Sequence, residues 1–252
     1  MEYVVFCSGG NDSIALVQWL YNQGKTDIVV AYNNTGWASE VWPMRMQRVK
    51  LWVEGLGYAF VELPSEGMEA LAIRKKGWPA PMPGMQFCTQ ELKLKPSLAW
   101  LDVIDPEKEA VCCVGVRREE SQKRSTFPEY TEHSDAHGGR ALWAPLVRHT
   151  KQERNVLLSM APFPPLPHGS RECFPCIYAN RSDVAALPEE RIQQIKQLEV
   201  SLGHTKKGHL RTFFRPHRKQ GAIGIEEAVK WAHSKRGEYR YEGECDSGMC
   251  GG

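Results

Sequence analysis

The stretch that decides the fold reads Glu2-Tyr-Val-Val-Phe-Cys7, followed by Ser8-Gly-Gly-Asn-Asp-Ser13. The first six residues form a short apolar run of the kind found in buried β-strands. The residues from Ser13 to Leu20 have the composition of a helix. The two glycines between them permit a tight bend and place no side chain in the way of a ligand. We therefore predict a phosphate cradle, in which loop amides and the positive end of a helix dipole face an anion.

This loop has more than a glycine bend. The hydroxyl groups of Ser8 and Ser13 would add donors to the amides of Gly9 and Gly10, and Asp12 adds a carboxylate. A Gly-Gly pair alone would suit an ordinary strand–turn–helix connection. Two serines and an aspartate directly after an apolar strand favour a nucleotide site. The loop is not a Walker A motif, because no Gly-Lys-Ser/Thr follows at the required spacing.

Length and composition restrict the class of protein. The 252 residues suffice for one large α/β domain, or for one domain with a smaller module. The net charge is only +2, so contact with nucleic acid would need a local basic patch. No apolar run approaches the ~20 residues of a membrane span, and the opening apolar run is too short for a signal peptide. We expect a cytoplasmic protein that does not enter a membrane, in which eight cysteines indicate metal or redox chemistry more than disulfides.

Strand and helix patterns alternate over the first two thirds of the chain. After the opening strand and helix, we predict strands at Asp27–Tyr32, Tyr58–Leu63, Glu109–Val116 and Ala141–Leu146. Helices are predicted after a cap at Ser39, over Glu66–Lys76 and over Thr89–Ile104. Such alternation predicts an α/β fold with a doubly wound, mostly parallel, Rossmann-like sheet.

The composition changes near residue 161, where the proline-rich segment Ala161–Gly169 excludes regular structure. We predict a nucleotide-binding α/β domain over residues 1–160 and a helical C-terminal module over residues 161–252. The module would contain a long helical stretch from about Ser182 to Leu202, a final helix near Ile225–Lys235 and a cysteine-bearing tail.

Two further loops follow predicted strands and should face the nucleotide. The first is Asn33–Trp37, which would contact ribose or adenine. The second is Gly115–Arg124, whose arginines can bind phosphate or sulfate oxygens with planar forks. A solvated charged turn is the alternative for this second loop. The candidate residues are Thr35 and Gly36 in the first loop, and Gly115, Arg117, Arg118, Ser121 and Arg124 in the second.

Four sequence blocks together resemble the phosphoadenosine phosphosulfate (PAPS) reductase family, a branch of the PP-loop ATP pyrophosphatase, or adenine nucleotide alpha-hydrolase, superfamily. The blocks cover residues 1 to about 180. They are the Ser8–Ser13 loop, Cys-x-x-x-x-Lys-x-x-Pro at Cys88–Pro96, Gly-Val-Arg-Arg-x-x-Ser-x-x-Arg at Gly115–Arg124, and Thr150-x-x-Glu153 with Pro165-Leu-Pro, Gly169 and Cys173-x-x-Cys176.

The resemblance implies a fold of the adenine nucleotide alpha-hydrolase type and assigns roles to the matching positions. Ser8, Gly9, Gly10, Asp12 and Ser13 would bind the phosphates of ATP, which enters with Mg²⁺. Lys93 and the arginines of the second loop would bind the anionic end of the substrate. The catalytic group would then comprise Asp12, Lys93, Arg117 and Arg118.

The cysteines suggest a metal site. Two residues between Cys173 and Cys176 let both thiolates reach one metal, and the tail adds Cys245 and Cys250. Incidental core thiols or a redox dithiol remain alternatives. A tetrahedral Zn²⁺ site fits four cysteines. The family resemblance implies a [4Fe–4S] cluster instead, with Cys88 as an alternative ligand.

Two other features bear on partners. The segment 204–219 has six Lys or Arg, three His and two Phe but no acidic residue, which suits a nucleic-acid acceptor or a solvated loop. Cys112 and Cys113 are adjacent in a strand pattern, so at most one can face a site and we assign both to the core.

Two functions remain open. One is cleavage of ATP at the α-phosphate, adenylation of an acceptor such as DNA or tRNA, and sulfur incorporation from a sulfur donor protein. The other is reduction of a sulfonucleotide by a tail cysteine, such as that of Glu244-Cys245, with a thioredoxin-like partner. Family knowledge favours the first, because reductases usually have a degenerate loop whereas Ser8–Ser13 is intact. The tail resembles the reductases. A third possibility is a nucleotide-binding subunit that needs a partner polypeptide for activity.

Overall fold

A computed structural model describes residues 1–214 and 224–235 of the chain. The chain divides into two compact units. Unit 1 comprises Met1–Ser65 and Glu91–Phe174, and unit 2 comprises Glu66–Gln90 and the described residues from Pro175 onward. Cys245 and Cys250, together with residues 215–219 of the basic segment, lie outside the described residues.

Unit 1 contains a six-stranded sheet with the order β3-β2-β1-β4-β6-β5. Parallel pairing joins β3, β2, β1, β4 and β6, and only β5 runs antiparallel to its neighbour β6. The mostly parallel α/β sheet is therefore confirmed. The strands are β1 Tyr3–Phe6, β2 Ile28–Asn34, β3 Ala59–Pro64, β4 Val111–Val114, β5 Tyr130–Ser134 and β6 Arg140–Trp143.

Apolar clusters cover both faces of the sheet. The continuous apolar runs of its central strands are typical of strands that are buried on both faces. Val5 and Cys113 pack into the apolar cluster on one face, whereas Val4 and Cys112 pack into the cluster on the other. Both cysteines are fully buried, as the strand pattern predicts. Burial raises the pKa of the Cys112 thiol to about 12, and it also raises the pKa of Cys113.

Helices α1 and α2 follow the first two strands of unit 1. The bounds of the helices in this unit are α1 Asn11–Asn22, α2 Trp42–Gly55, α5 Lys95–Ile104 and α6 Lys151–Met160. The expected cap at Ser39 is wrong, because α2 begins three residues later and the Ser39 hydroxyl has no hydrogen-bond partner among the described residues. Pro43 lies in the first turn of α2, where its missing N–H costs no helical hydrogen bond.

The predicted helix over Thr89–Ile104 is irregular. A short helix α4, Phe87–Thr89, runs into a π-helical turn at Gln90–Leu94, and α5 begins at Lys95. Pro96 lies in the first turn of α5, so the irregularity precedes the proline. A π-turn of this kind widens the helix and changes the direction of its side chains.

Unit 2 is helical in its described part. Its helices include α3 Met68–Lys75, α7 Arg181–Ala185, α8 Glu189–Leu202 and α9 Gly224–His233. The helical stretch expected from about Ser182 to Leu202 is confirmed but is interrupted: α7 ends before Pro188, which precedes α8 with an extended backbone. No helix among residues 1–214 and 224–235 is long and apolar enough to cross a bilayer.

The compact units and the predicted domains divide the chain differently. Residues 66–90 belong to unit 2, and residues 161–174 belong to unit 1. Residues 161–174 therefore fold with the sheet unit, where Leu166 and Ser170 contact the glycine-rich loop. The boundary at residue 160 stays a prediction about domains.

Candidate functional site

The Ser8–Ser13 loop joins the carboxyl end of β1 to the first turn of α1. Gly9 has a φ of +71°, and a Cβ there would lie 2.5 Å from the sulfur of Met46, so the position favours glycine. Gly10 is the N-cap of α1 and has an extended backbone without a capping side chain. The first-turn amides of α1 therefore have no side-chain cap, which suits them to an anion.

Asn11 and Ser13 shape the loop through their side chains. The Asn11 amide makes two hydrogen bonds to the backbone of Leu166, at 2.8 and 2.9 Å. This contact anchors the Pro165-Leu-Pro block to the loop. The Ser13 hydroxyl is buried and donates to the carbonyl oxygen of Gly10 at 3.0 Å, so in this structure its proton is directed into the loop.

Asp12 lies between two arginines from distant parts of the chain. Its carboxylate pairs with Arg117, and at 3.4 Å with Arg154 from α6. Both arginines are 5% exposed. Arg117 also pairs with Glu119 at 3.0 Å, and Glu119 in turn accepts from the amide of Lys151 at the start of α6. This network fixes the orientation of Asp12 beside the loop.

The other residues of the second predicted loop have internal partners. Arg118 donates twice to the carbonyl oxygen of Phe127, at 3.0 and 2.8 Å. Arg124 is exposed and pairs with Glu120, and Ser121 is also exposed. The assignment of Arg117, Arg118 and Arg124 to an anion stays a prediction, and binding by any of them would require exchange of these partners.

The loop after β2 surrounds a buried carboxyl group that the sequence analysis did not identify. Glu172 is 3% exposed and accepts hydrogen bonds from the Tyr32 hydroxyl and from the amide of Thr35, the latter at 2.8 Å. Burial raises the pKa of both Glu172 and Tyr32. Thr35 is buried with its hydroxyl on the Glu172 carbonyl, whereas Gly36 is exposed.

Lys93 lies in the π-helical turn and is half-buried. Its positive charge favours the ionised form of Glu172, so the two groups are electrostatic neighbours within unit 1. Glu172 therefore interacts with two predicted site residues, with Thr35 by a hydrogen bond and with Lys93 electrostatically.

The predicted metal ligands among the described residues are assigned to both compact units. Cys173 is in unit 1, where it forms a β-bridge with Trp37, and Cys88 and Cys176 are in unit 2. Within residues 1–214 and 224–235, no three or more His, Cys, Asp or Glu side chains are grouped to hold a metal ion. The Zn²⁺ or [4Fe–4S] site stays a prediction, because its proposed ligands include Cys245 and Cys250, which lie outside the described residues.

The described part of the basic segment is a small exposed hairpin in unit 2. His204 bridges Leu210, and the amide of Thr205 donates to the His209 carbonyl at 2.8 Å. Lys206 and Lys207 are exposed at its tip. Two lysines and two histidines are thus presented together to solvent.

Sequence reasoning missed Arg154, Glu172 and Tyr32. Arg154 occupies a buried position in the amphipathic pattern of α6, and a charged residue at such a position is a signal that can be read from sequence. Glu172 gives no such signal, because it lies in an irregular segment and is buried only by the fold.

Comparisons with known proteins concern the fold. No family model matches the chain, and no curated protein matches it. Among solved structures, the chain is similar to the phosphate complex of phosphoadenylyl-sulfate (PAPS) reductase from Candida auris. The identity is 12% and the TM-score is 0.46, over 65% of this chain and 75% of that one.

Proposed function

We propose that this protein is a PP-loop ATP pyrophosphatase that activates an acceptor for sulfur incorporation. The observation that supports this most is the Ser8–Ser13 loop, where a glycine at positive φ, an uncapped helix start and an orientated Asp12 carboxylate occur together. Uncapped amides at a helix N-terminus bind the charge of a polyphosphate.

ATP would enter as its Mg²⁺ complex, with the β- and γ-phosphates in the loop. An acceptor oxygen attacks the α-phosphorus, and the bond between that phosphorus and the α,β-bridging oxygen breaks. Pyrophosphate leaves with the bonding electron pair and is stabilised by the loop amides, while AMP stays on the acceptor. A sulfur nucleophile from a donor protein then displaces AMP and forms the carbon–sulfur or phosphorus–sulfur bond.

A nucleic acid is the acceptor that the basic hairpin favours. Lys206 and Lys207 project from a hairpin that has no acidic residue between His204 and Arg211. Such a surface attracts a phosphate backbone without reading its sequence. DNA and tRNA are both suitable probes.

A second candidate function is sulfonucleotide reduction, which the tail sequence Glu244-Cys245 favours. There a cysteine thiolate attacks the sulfate sulfur and the nucleotide phosphate leaves. A thioredoxin-like dithiol then attacks the cysteine sulfur and releases sulfite, while the dithiol is oxidised. This reaction forms no pyrophosphate.

The two candidates are separated by their products. Purified protein is incubated with ATP and Mg²⁺, alone and with DNA or tRNA, and pyrophosphate and AMP are measured. In parallel it is incubated with PAPS and reduced thioredoxin, and sulfite is measured. Acceptor-stimulated pyrophosphate release without sulfite supports the proposal, and sulfite formation without ATP turnover overturns it in favour of the reductase.

A further inference from the structure

The outer side of the phosphate loop is held by side chains that the proposed chemistry does not use. The carbonyl oxygen of Ser8 accepts from Trp42 Nε1 at 3.2 Å and from Ser170 Oγ at 3.1 Å. The next carbonyl oxygen, that of Gly9, accepts from Arg45 Nε at 2.8 Å. Hydrogen bonds to their carbonyl oxygens thus fix the orientation of two consecutive peptide groups of the loop.

Fixing a carbonyl also fixes the amide of the same peptide. The peptide group is planar and trans, so its C=O and N–H point in opposite directions. The Gly9 carbonyl shares its peptide with the Gly10 amide. Because Arg45 binds that carbonyl, the Gly10 N–H points away from Arg45 and stands immediately before the first turn of α1.

The surroundings of Arg45 make this contact a specific one. Its guanidinium carbon lies 5.4 Å from the ring centre of Trp42 and 5.2 Å from that of Phe163. Its Nη2 atom is buried and has no hydrogen-bond partner in the part of the chain that the structure describes. The group is therefore stabilised by aromatic faces and by the Gly9 carbonyl.

Arg45 also places a positive charge directly behind the loop. Burial lowers the pKa of Arg45, but an arginine stays protonated in proteins, so the charge persists. In a partly buried setting this charge is less screened by water than a surface charge. It therefore favours a polyanion on the opposite side of the same peptide.

We propose that Arg45 is a positioning residue of the phosphate loop. It orients the Gly9–Gly10 peptide so that the Gly10 amide faces the ligand, and its charge strengthens the attraction for pyrophosphate. This inference rests on the proposed function only in assuming that the loop binds the β- and γ-phosphates.

The chain provides a matched control one turn along α2. The guanidinium of Arg48 stacks over the same Phe163 ring, with its central carbon 5.6 Å from the ring centre. Its hydrogen bond goes to the carbonyl of Pro162 at 3.5 Å and not to the loop. Loss of Arg48 therefore removes an arginine–aromatic contact and a positive charge nearby, but leaves the Gly9 carbonyl contact in place.

The test is calorimetric titration of the full chain with pyrophosphate and, separately, with AMP, whose single phosphate would lie outside the cradle. We expect Arg45→Met to weaken pyrophosphate binding about tenfold, the scale of one charge-assisted contact. AMP affinity should stay within about twofold of wild type, as expected for a site not touched by the change. Arg45→Lys should recover part of the pyrophosphate affinity, and Arg48→Met should lose clearly less of it than Arg45→Met.

The outcomes separate this inference from the function on which it rests. Unchanged pyrophosphate affinity in Arg45→Met, or equal losses for Arg45→Met and Arg48→Met, would overturn the positioning role while the proposed function stands. Equal losses for pyrophosphate and AMP would also overturn it, because they indicate general damage to the site. If the wild-type protein binds AMP but not pyrophosphate, the proposed function is itself contradicted. Should Arg45→Met not fold, Arg45→Lys against Arg48→Lys gives the same comparison.

Discussion

Gly115 lies so close to Asp12 that a Cβ atom at position 115 would come within 2.7 Å of the Asp12 carbonyl oxygen. Gly115 follows β4, and Asp12 lies in the first turn of α1, so the two elements that frame the phosphate loop meet at a glycine. The close approach explains why the Gly-Val-Arg-Arg block begins with this residue type.

Replacement of Gly115 by alanine should displace the first turn of α1. We expect Gly115→Ala to lower the free energy of unfolding by about 1–3 kcal/mol, the usual cost of overpacking, and to weaken ATP binding. Chemical denaturation and nucleotide titration measure the two effects. Gly55→Ala is the control, since a Cβ at Gly55 meets nothing within 4 Å. Equal stability of both variants would contradict the close packing.

The Asp12 carboxylate should contribute to stability as well as to the site. In Asp12→Asn, the buried guanidinium of Arg154 loses its anionic partner and Arg117 retains Glu119. We expect the free energy of unfolding to fall by about 1–3 kcal/mol, below the cost of breaking a fully buried pair because Asp12 is partly exposed.

Asp102→Asn is the control for this change. Asp102 also pairs with a buried arginine, Arg140, but its side chain is 60% exposed and Asp105 remains as a second partner. A loss below about 1 kcal/mol is expected there, as for exposed ion pairs. If Asp102→Asn cost as much as Asp12→Asn, the two-arginine arrangement around Asp12 would have no special role in stability.

The buried Glu172 should make stability depend on pH. Its folded-state pKa is raised by burial, so the folded chain keeps a proton that the unfolded chain releases at the ordinary glutamate pKa. Stability contributed in this way is present at low pH and is lost as the pH rises through the raised pKa. We expect Glu172→Gln to reduce the fall in unfolding free energy as the pH rises above the ordinary glutamate pKa.

Glu199 in unit 2 provides an internal comparison for this pH effect. Burial raises its pKa too, and it accepts hydrogen bonds from the amides of Phe213 and Ile225 at 2.8 and 2.9 Å. Glu172→Gln and Glu199→Gln should therefore each remove only part of the pH dependence of stability, and the double variant should remove more of it. A profile that Glu172→Gln leaves unchanged would show that the carboxyl group titrates normally in the folded protein.

The hairpin lysines should control affinity for nucleic acid. We expect the double variant Lys206→Gln and Lys207→Gln to bind a fluorescent DNA or tRNA about tenfold more weakly and with a salt slope shallower by about 2. Fluorescence anisotropy at several salt concentrations measures both quantities. Lys196→Gln is the control, because Lys196 pairs with Glu226 at 2.8 Å. An unchanged salt slope in the double variant would place any nucleic-acid contact elsewhere.

The sequence predicts the parallel sheet because its strands are continuous apolar runs. Strand β5 lacks that signal: Tyr130 and its neighbours are mostly exposed or half-buried, and their pairing with β6 depends on the finished sheet. The break between α7 and α8 is indicated by Pro188, because a proline disfavours the helical conformation of the residue before it.

In the site, too, some features are predicted by a short stretch of sequence, and others depend on residues that only the fold brings together. The glycine loop is encoded within Ser8–Ser13 and is readable from its residues. The pairing of Asp12 with Arg154 and the burial of Glu172 join positions far apart in the chain, and no local pattern specifies them. Arg45 is of the same kind, because only the folded chain brings it to the Gly9 carbonyl.

The measurement that tests the central claim most directly is competition between pyrophosphate and ATP for the wild-type protein. Calorimetry in the presence of Mg²⁺ is carried out with each ligand alone, and then with ATP added to the pyrophosphate-saturated protein. The account predicts that both bind with a stoichiometry of one and that pyrophosphate raises the apparent Kd of ATP in proportion to 1 plus the ratio of free pyrophosphate to its own Kd. Binding of ATP that saturating pyrophosphate leaves unaffected would contradict the claim that the Ser8–Ser13 loop holds the two phosphates that ATP releases.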